Sequence, residues 1–449
     1  MQAPPQRQSC ITSRKMFRER GLRGCDPSVM LIIVSVCRAI PRCVPQSRPL
    51  GTGRTRQLLE DLAHDDSGRT RKRVVMRLSL VISSLNAGGA ERVMTTLANA
   101  WVARGWRVDL FTTHDGGREP HYPLSPAVGL RSIDPRLPSP FRQMATVRNL
   151  RAAIREARPD VVVSFLNYTN IMTLAACRGL PCPVVISERL DPRVIDIGPA
   201  WSFLRRATYP QAKLLVAQTK TAAELYGALA GGRVRVIPNP VQAPVLRSAD
   251  PMSPVAVDQR TILCVGRLQK QKGFDIALRA MSLLGPAYAD WRLVILGEGP
   301  ERLNLERLSA ELKLGDRARL AGQVADTWPW LRQAGIFLMS SRSEGFPNAL
   351  TEAMAAGLPV ISTDCPSGPA DIITPGVDGL LVPTEDPTAL AGALAQLIDS
   401  GDLRTRFAQA APGVLERYSL DSVLAAWDRV FAESTGMTGE PLNHGDSRP

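Results

Sequence analysis

The sequence predicts an α/β protein built from two doubly wound parallel sheets. From residue 76 onward, short apolar runs alternate with helix-compatible stretches, a pattern typical of parallel strands joined by helical crossovers. The apolar runs are nearly continuous, as expected for strands covered on both faces. A Pro-rich stretch without periodicity, residues 238–259, interrupts the alternation, which then restarts. The chain therefore contains two α/β halves in tandem.

The first half begins with a strand, a Gly turn and a helix over Glu91–Ala103. Its predicted strands are Arg77–Ile82, Arg107–Thr112, Val161–Phe165, Val184–Ser187 and Leu214–Ala217. The predicted strands of the second half are Thr261–Val265, Trp291–Leu296, Ile336–Met339, Pro359–Thr363 and Leu380–Val382. A last helix is predicted around Leu420–Phe431.

These patterns predict a division of the chain into six segments. Residues 1–75 are expected to be a disordered or spurious extension, because they are rich in Pro, Gly and Arg and lack periodicity. The expected order continues with an N-terminal domain over 76–245, a linker over 246–259, a C-terminal domain over 260–415, a crossing helix over 416–434 and a tail over 435–449. Since open parallel sheets bind ligands beyond the carboxyl ends of their strands, two facing domains predict a ligand cleft between them.

Charge and cysteine usage restrict the partners and the compartment. The formal net charge is +13, but residues 1–75 hold 15 Lys and Arg against 6 Asp and Glu, so most of the excess lies in the head. We therefore expect no nucleic-acid partner for the folded part. Apolar residues 29–36 follow a basic segment, as in a signal peptide, but Arg38 and Arg42 come next without a convincing cleavage site. The cysteines form no zinc-like C-x-x-C pattern and no stretch is long enough to span a bilayer, which favours the cytoplasm.

The loop after the first strand contains Gly88 and Gly89 directly before a helix. Glycines allow a backbone to approach a ligand closely, and the positive end of the helix dipole points there. A Gly-Gly turn is as often only a turn, so this signal is weak by itself.

The corresponding loop of the second half reads Gly266-Arg267-Leu268-Gln269-Lys270-Gln271-Lys272-Gly273. Arg267 and Lys272 lie where the strand ends, and a guanidinium next to an ammonium suits a diphosphate. The alternative for one such turn is a solvated basic surface. The spacing excludes a Walker P-loop.

The most informative stretch is residues 341–370, in which Glu344 and Glu352 flank a Gly-Phe-Pro-Asn turn and a helix start. Backbone N–H groups over residues 345–349 can receive a phosphate, and carboxylates can hold sugar hydroxyls. Paired carboxylates could also act as the acid and base of a glycosidase, but a hydrolase does not need the Arg267–Lys272 pair. No D-x-D and no metal-ligand spacing of histidines occurs, so no metal site is expected, and the absence of G-x-G-x-x-G disfavours a dinucleotide oxidoreductase.

A basic helix is predicted over Phe141–Arg158. Met144, Val147, Leu150 and Ile154 share one face, and the others carry Arg142, Arg148, Arg151, Arg155 and Arg158. Such a helix can lie on an anionic membrane surface. It can equally pack its apolar stripe on the sheet and leave its arginines in water.

Taken together, these motifs resemble the group 1, or family 4, retaining glycosyltransferases of GT-B fold. The resemblance spans residues 76–434 and rests on four motifs, Gly88-Gly89-Ala90-Glu91-Arg92, Gly266-Arg267 with Lys272-Gly273, Gly297-Glu298-Gly299-Pro300, and Glu344-Gly345-Phe346-Pro347 with Glu352-Ala353-Met354-Ala355. The segments at residues 165–170 and 364–369 resemble the branch that builds exopolysaccharide, capsule or lipid-linked glycans.

The resemblance implies a role for each motif. Arg267 and Lys272 would clamp the donor diphosphate, Glu344 would face the donor sugar, and Glu352 would bind the ribose hydroxyls. Further donor-binding positions would be Gly88, Gly89, Gly266, Gly297, Phe346, Pro347, Asn348, Ala349 and Leu350. The family implies a UDP- or GDP-sugar donor, retention without an obligatory metal or cofactor, and a glycan or lipid-linked acceptor at the inner face of the membrane.

One departure concerns catalysis. Many members of the family carry a His after a strand of the first domain, whereas this chain has Glu188 and Arg189 there. The predicted catalytic set is therefore Glu344, Arg267, Lys272 and Glu188. A sucrose- or trehalose-type synthase acting on a soluble sugar is the alternative enzyme, and a non-catalytic glycan- or nucleotide-binding protein is the alternative of another class.

Overall fold

The computed structural model describes residues 75–114, 118–138, 141–189, 191, 193, 196–241 and 257–436. We refer to residues 75–241 as the first half and to residues 257–418 as the second half. The predicted extension up to residue 74, the linker residues 246–256 and the tail from residue 437 lie outside the described residues.

The first half contains a seven-stranded parallel sheet in the order β3-β2-β1-β4-β5-β6-β7. Its elements are β1 Arg77–Ile82, α1 Gly89–Ala103, β2 Arg107–Thr112, β3 Gly129–Ser132, α2 Phe141–Ala157, β4 Val161–Phe165, α3 Asn167–Cys177, β5 Val184–Ser187, α4 Gly198–Thr208, β6 Leu214–Ala217, α5 Lys220–Gly227 and β7 Val234–Val236.

The second half contains a six-stranded parallel sheet in the order β10-β9-β8-β11-β12-β13. Its elements, and the helix that follows it, are β8 Thr261–Val265, α6 Phe274–Leu283, β9 Arg292–Leu296, α7 Arg302–Glu311, β10 Ala318–Gly322, α8 Trp328–Gln333, β11 Ile336–Met339, α9 Asn348–Ala355, β12 Val360–Thr363, α10 Pro369–Ile372, β13 Leu380–Val382, α11 Pro387–Asp399, α12 Gly401–Ala410, α13 Val414–Arg417 and α14 Leu420–Thr435.

The α/β architecture with two doubly wound sheets is confirmed. Each sheet lies between two apolar clusters, one on each face. In β1, for example, Val81 packs with Leu150 and Ile154 of α2, whereas Leu80 and Ile82 pack on the opposite face. All ten predicted strands are present to within one residue, because the strands buried on both faces are continuous apolar runs.

The sequence analysis omitted three strands, β3, β7 and β10. Each lies at an edge of its sheet, and each is largely exposed or only partly buried. An edge strand with one solvated side needs no continuous apolar run, so the pattern that revealed the central strands was missing.

The last helix, α14, packs on the first sheet. Trp427 lies 6.0 Å from Trp101 of α1, and Phe431 lies 5.4 Å from it, measured between ring centroids. Arg104, at the end of α1, pairs with Asp428 at 3.1 Å. The chain therefore returns from the second half to the first.

The last described residue of the first half lies beside the chain that returns from the second half. The N–H of Val241 donates to the carbonyl of Tyr418 at 2.8 Å, which joins the outgoing and returning chain. The Tyr418 ring meets Phe346 edge-on, with centroids 5.5 Å apart and planes at 88°. The loop that carries Glu344 is thus packed against this connection.

Candidate active site

Except for Glu188, which follows β5, the predicted site residues lie in the loops after the carboxyl ends of β1, β8, β9 and β11 or in the first turns of the helices that follow them. Because the strands are parallel, these ends share one edge of each sheet, and the two edges contact each other. Contacts between the halves include Arg267 to the carbonyl of Ala87, Arg92 to Glu352, Asn239 to Asn348, and Ser367 to Asp191.

Lys272 and Glu344 form the charged pair at the base of the site. Lys272 Nζ donates to Glu344 Oε1 and Oε2 at 2.7 and 3.0 Å, and Ser341 Oγ donates to Oε1 at 2.6 Å. Glu344 is buried, whereas the Lys272 side chain is 26% exposed. The neighbouring Cys365 feels the same charges: burial, with Glu344, raises the pKa of its thiol to about 12, so it is a neutral thiol at neutral pH.

Local backbone contacts place this pair. The N–H of Arg342 donates to the carbonyl of Gln271 at 2.7 Å, and Gln271 Nε2 donates to the carbonyl of Ser343 at 2.8 Å. Gly273 ends the Lys272 turn with φ +63°, and a Cβ there would collide with the carbonyl of Ser340. Only glycine allows this approach at low cost, so the turn is locked against the Glu344 loop.

Arg267 extends from the second half to the first, where its guanidinium donates to the carbonyl of Ala87 beside Gly88. Gly297, with φ +140°, follows β9 and lies so close to Gly266 that a Cβ would meet the Gly266 carbonyl. Arg267 and the glycines Gly88, Gly266 and Gly297 therefore belong to one region, as the sequence predicted for a ligand that needs close backbone approach.

Helix α9 begins beside this region at Asn348. Its Oδ1 accepts from Asn239 Nδ2 at 2.7 Å, and its Nδ2 lies against Gly89. The Leu350 N–H donates to the Pro347 carbonyl at 3.1 Å, and the Leu350 side chain is buried. Phe346 is buried too, so Leu350 and Phe346 orient the helix start by packing, while Asn348 and Ala349 lie at its first turn.

Glu352, on the same helix, is paired across the cleft. Arg92 Nη1 lies 2.5 Å from Glu352 Oε1. Burial raises the pKa of Glu352, and the charge and hydrogen bond of Arg92 act against that rise. Arg92 belongs to the Gly-Gly-Ala-Glu-Arg motif, but the sequence predicts no role for it, since nothing in the local pattern indicates a partner 260 positions away.

The structure does not bring Glu188 to this group. Its carboxylate accepts from the hydroxyls of Tyr209 and Tyr226 and from Asn170, all residues of the first half. Burial raises the pKa of Glu188, and these hydrogen bonds lower it only in part. The geometry favours a structural role for Glu188.

Arg189 instead lies at the cleft. Its guanidinium stacks 3.6 Å from the Phe165 ring centroid and donates to Asn239 Oδ1 at 2.6 Å. Burial lowers the pKa of Arg189 to about 9. Because Asn239 also donates to Asn348, a polar chain connects Arg189 to the start of α9. Asn239 sits in the Pro-Asn-Pro segment at the start of the Pro-rich stretch, for which the sequence predicted no role in the site.

Two statements apply to the described residues as a whole. No helix among them is long and apolar enough to cross a membrane. None of their His, Cys, Asp and Glu side chains come together in groups of three or more that could hold a metal ion.

Two family models match this chain. The one described as Glycosyl transferases group 1 matches residues 249–414, and the one described as Glycosyltransferase Family 4 matches residues 87–243. The fold is shared by solved structures: Anabaena HepE in complex with UDP superimposes with a TM-score of 0.65, at 19% identity, over 80% of this chain and 100% of that one.

Two curated relatives of this chain are also sugar transferases. The chain is 29% identical over 373 residues to the GalNAc-alpha-(1->4)-GalNAc-alpha-(1->3)-diNAcBac-PP-undecaprenol alpha-1,4-N-acetyl-D-galactosaminyltransferase of Campylobacter jejuni, covering 80% of this chain and 99% of that protein. It is 29% identical over 365 residues to the amylovoran biosynthesis glycosyltransferase AmsD of Erwinia amylovora, covering 79% and 99%.

Two facing Rossmann-like domains with a cleft between their strand ends define the GT-B class of glycosyltransferases. The chain belongs to the group 1 glycosyltransferases, whose characterised relatives build exopolysaccharide, lipopolysaccharide and lipid-linked glycans.

Proposed function

We propose that the protein transfers a sugar from a nucleotide-sugar, a UDP-hexose or UDP-N-acetylhexosamine, to a growing lipid-linked surface glycan, with retention of anomeric configuration. The observation that carries this proposal is the convergence of Lys272, Glu344 and Arg267 beside the start of α9, where the two halves touch. Family membership and the names of the relatives support it.

The proposed chemistry follows from where charge develops. As the glycosidic bond to the nucleotide breaks, negative charge accumulates on the departing diphosphate. Lys272 and Arg267, with the N–H groups at Asn348 and Ala349, are positioned to stabilise that charge. Preorganised donors of this kind are typically worth about 10²–10³ in kcat each.

Glu344 is proposed to face the donor sugar. Lys272 and Ser341 hold its carboxylate in a fixed orientation. The acceptor hydroxyl would attack from the face that the diphosphate leaves, so its proton would pass to that leaving group. No side chain is required as nucleophile, and no step requires a metal or cofactor.

The proposed acceptor side is the first half, with peripheral contact to an anionic membrane. In α2, Leu150 and Ile154 are buried against the sheet, whereas Phe141 is 61% and Met144 39% exposed. Arg142 pairs with Asp134 and Arg151 donates to the carbonyls of Ala176 and Arg178, but Arg148 and Arg155 are exposed. Phe141, Met144 and Arg148, together with Arg155 in the last turn, therefore offer an apolar and cationic surface of α2 that is suited to lipid.

Substitution at the charged pair tests the proposal. A panel of UDP- and GDP-sugars screened by thermal shift would identify the donor, because a bound ligand stabilises the native state. With that donor, Lys272→Met or Glu344→Gln should lower transfer by about 10²-fold or more without changing the circular dichroism spectrum. Lys270→Met, an exposed lysine of the same turn, is the matched control.

Near-normal turnover in both variants would contradict the site assignment. If transfer to a soluble sugar proceeds equally well without membranes, the lipid-linked acceptor is wrong and a synthase of sucrose or trehalose type is favoured. Donor binding without transfer to any acceptor would favour a non-catalytic protein.

A further inference from the structure

Helix α1 of the first half and helix α9 of the second half meet at a single ion pair. Arg92 lies in the first turns of α1, and its Nη1 is 2.5 Å from Oε1 of Glu352. The Arg92 side chain is 39% exposed and that of Glu352 only 9%. Val93 and Thr96 on one side and Thr351 on the other line the narrow crevice around the pair.

We propose that Arg92 is a positioning residue for donor binding: from the first half, it holds the Glu352 carboxylate in the orientation that receives the ribose hydroxyls. This inference rests on the proposed function, which assigns those hydroxyls to Glu352. Recognition of the ribose and approach of the two halves are then coupled, because the Arg92–Glu352 ion pair contributes to both.

The surroundings of Glu352 explain why it needs a cation. The carboxyl group faces Arg92 from α1, Asp326 from the loop before α8 and Tyr122 from the loop before β3. Burial and the negative charge of Asp326 raise the pKa of Glu352, and Arg92 lowers it. A buried carboxylate without a partner is costly, so removal of Arg92 favours the protonated acid.

Protonation matters because a carboxylate accepts two hydroxyl hydrogen bonds well, and a carboxylic acid does so poorly. Without Arg92, Glu352 should take up its proton at a higher pH than in the wild type. Relative to the wild type at the same pH, nucleotide affinity should then fall as the pH decreases. A role confined to holding the halves together predicts a loss that is equal at every pH.

The chain provides a matched control on the same helix. Arg104, at the opposite end of α1 from Arg92, also pairs with a buried carboxylate, Asp428 of α14. Arg104→Met removes a comparable ion pair without touching the crevice. Arg92→Lys keeps the charge at the site of interest.

The experiment is isothermal titration of the full chain with UDP and GDP between about pH 5.5 and about pH 8.5. Arg92→Met should weaken binding about tenfold or more near pH 6 and progressively less at higher pH, since each unit of pKa corresponds to a tenfold change. Arg92→Lys should stay within about threefold of the wild type, and Arg104→Met should follow the wild-type pH profile. In a Glu352→Gln background, adding Arg92→Met should cost no further affinity.

Two results would overturn the inference while leaving the proposed function intact. One is an Arg92→Met profile parallel to that of Arg104→Met, and the other is full additivity of Arg92→Met with Glu352→Gln. If the wild type and Arg104→Met bind neither nucleotide at any pH, the proposed function itself is wrong and the positioning role is rejected with it.

Discussion

Glu188 is a carboxyl group that the fold isolates from water, and its hydrogen bonds come from two tyrosine hydroxyls and one amide. Burial raises its pKa above the ordinary value of 4.5. A group whose pKa is higher in the folded than in the unfolded state binds its proton more tightly when folded. Its contribution to stability is therefore complete below the unfolded pKa and is lost as the pH rises through the folded pKa.

This reasoning predicts the pH dependence of a Glu188→Gln variant. The free energy of unfolding of the wild type should include a term that declines as the pH rises above about 4.5, and the variant should lack it. The free energy of unfolding of Glu188→Gln minus that of the wild type should therefore be more favourable to the variant near pH 7 than near pH 4. Urea unfolding of both proteins at both pH values measures this difference. A difference independent of pH would contradict the assignment of a raised pKa to this residue.

The residues that make contacts across the cleft could be predicted from the sequence only in part. Arg267, Lys272 and Glu344 were placed in one site because loops after parallel strands share an edge, a rule that the sequence can use. Arg92, Arg189 and Asn239 were missed or left without a role because each acts through a partner in another part of the chain. A local sequence pattern predicts burial and turns, but it does not predict which side chain of the opposite half will contact a given residue.

Helix α2 illustrates an amphipathic pattern that is divided along its length. Its C-terminal turns bury Leu150 and Ile154 on the first sheet, and its first turn exposes Phe141. The sequence predicted one apolar stripe and left two interpretations open, namely packing and membrane contact. In the structure, Leu150 and Ile154 pack on the sheet, and the exposed side chains Phe141, Met144, Arg148 and Arg155 form the surface proposed to contact the membrane.

The membrane proposal makes an element-scale prediction. Arg148→Glu with Arg155→Glu should reduce co-sedimentation with phosphatidylglycerol vesicles by about thirtyfold or more, since each cation near an anionic surface contributes about 1 kcal/mol. These two arginines are exposed, so the fold should be retained. Arg279→Glu with Arg319→Glu, exposed on the second half, controls for net charge. Equal loss in both double variants, or no loss in either, would reject α2 as the contact.

At the scale of the whole molecule, α14 joins the two halves through an aromatic cluster with Trp101. The Trp427 side chain is fully buried and belongs to the apolar cluster of the first sheet. Trp427→Ala should destabilise the first half by about 3–5 kcal/mol. Phe407→Ala, in a cluster of the second half, is the matched control.

Two unfolding transitions are expected if the halves melt separately, and each variant should then move a different one. Tryptophan fluorescence during denaturant unfolding reports both transitions, because Trp101, Trp106 and Trp427 lie in one cluster on the first sheet, whereas Trp291, Trp328 and Trp330 belong to the clusters of the second half. A shift of the same transition by both variants would show that the halves unfold as one unit.

The hydrogen bond between Val241 and Tyr418 fastens the end of the first half to the chain that returns from the second half. We expect the halves to open and close mainly by rotation about an axis through this contact. Tyr418 also packs on Phe346, in the loop that carries Glu344. Rotation about that axis would therefore be transmitted directly to this loop, so the relative position of the halves and the position of the Glu344 carboxylate would be coupled through one contact.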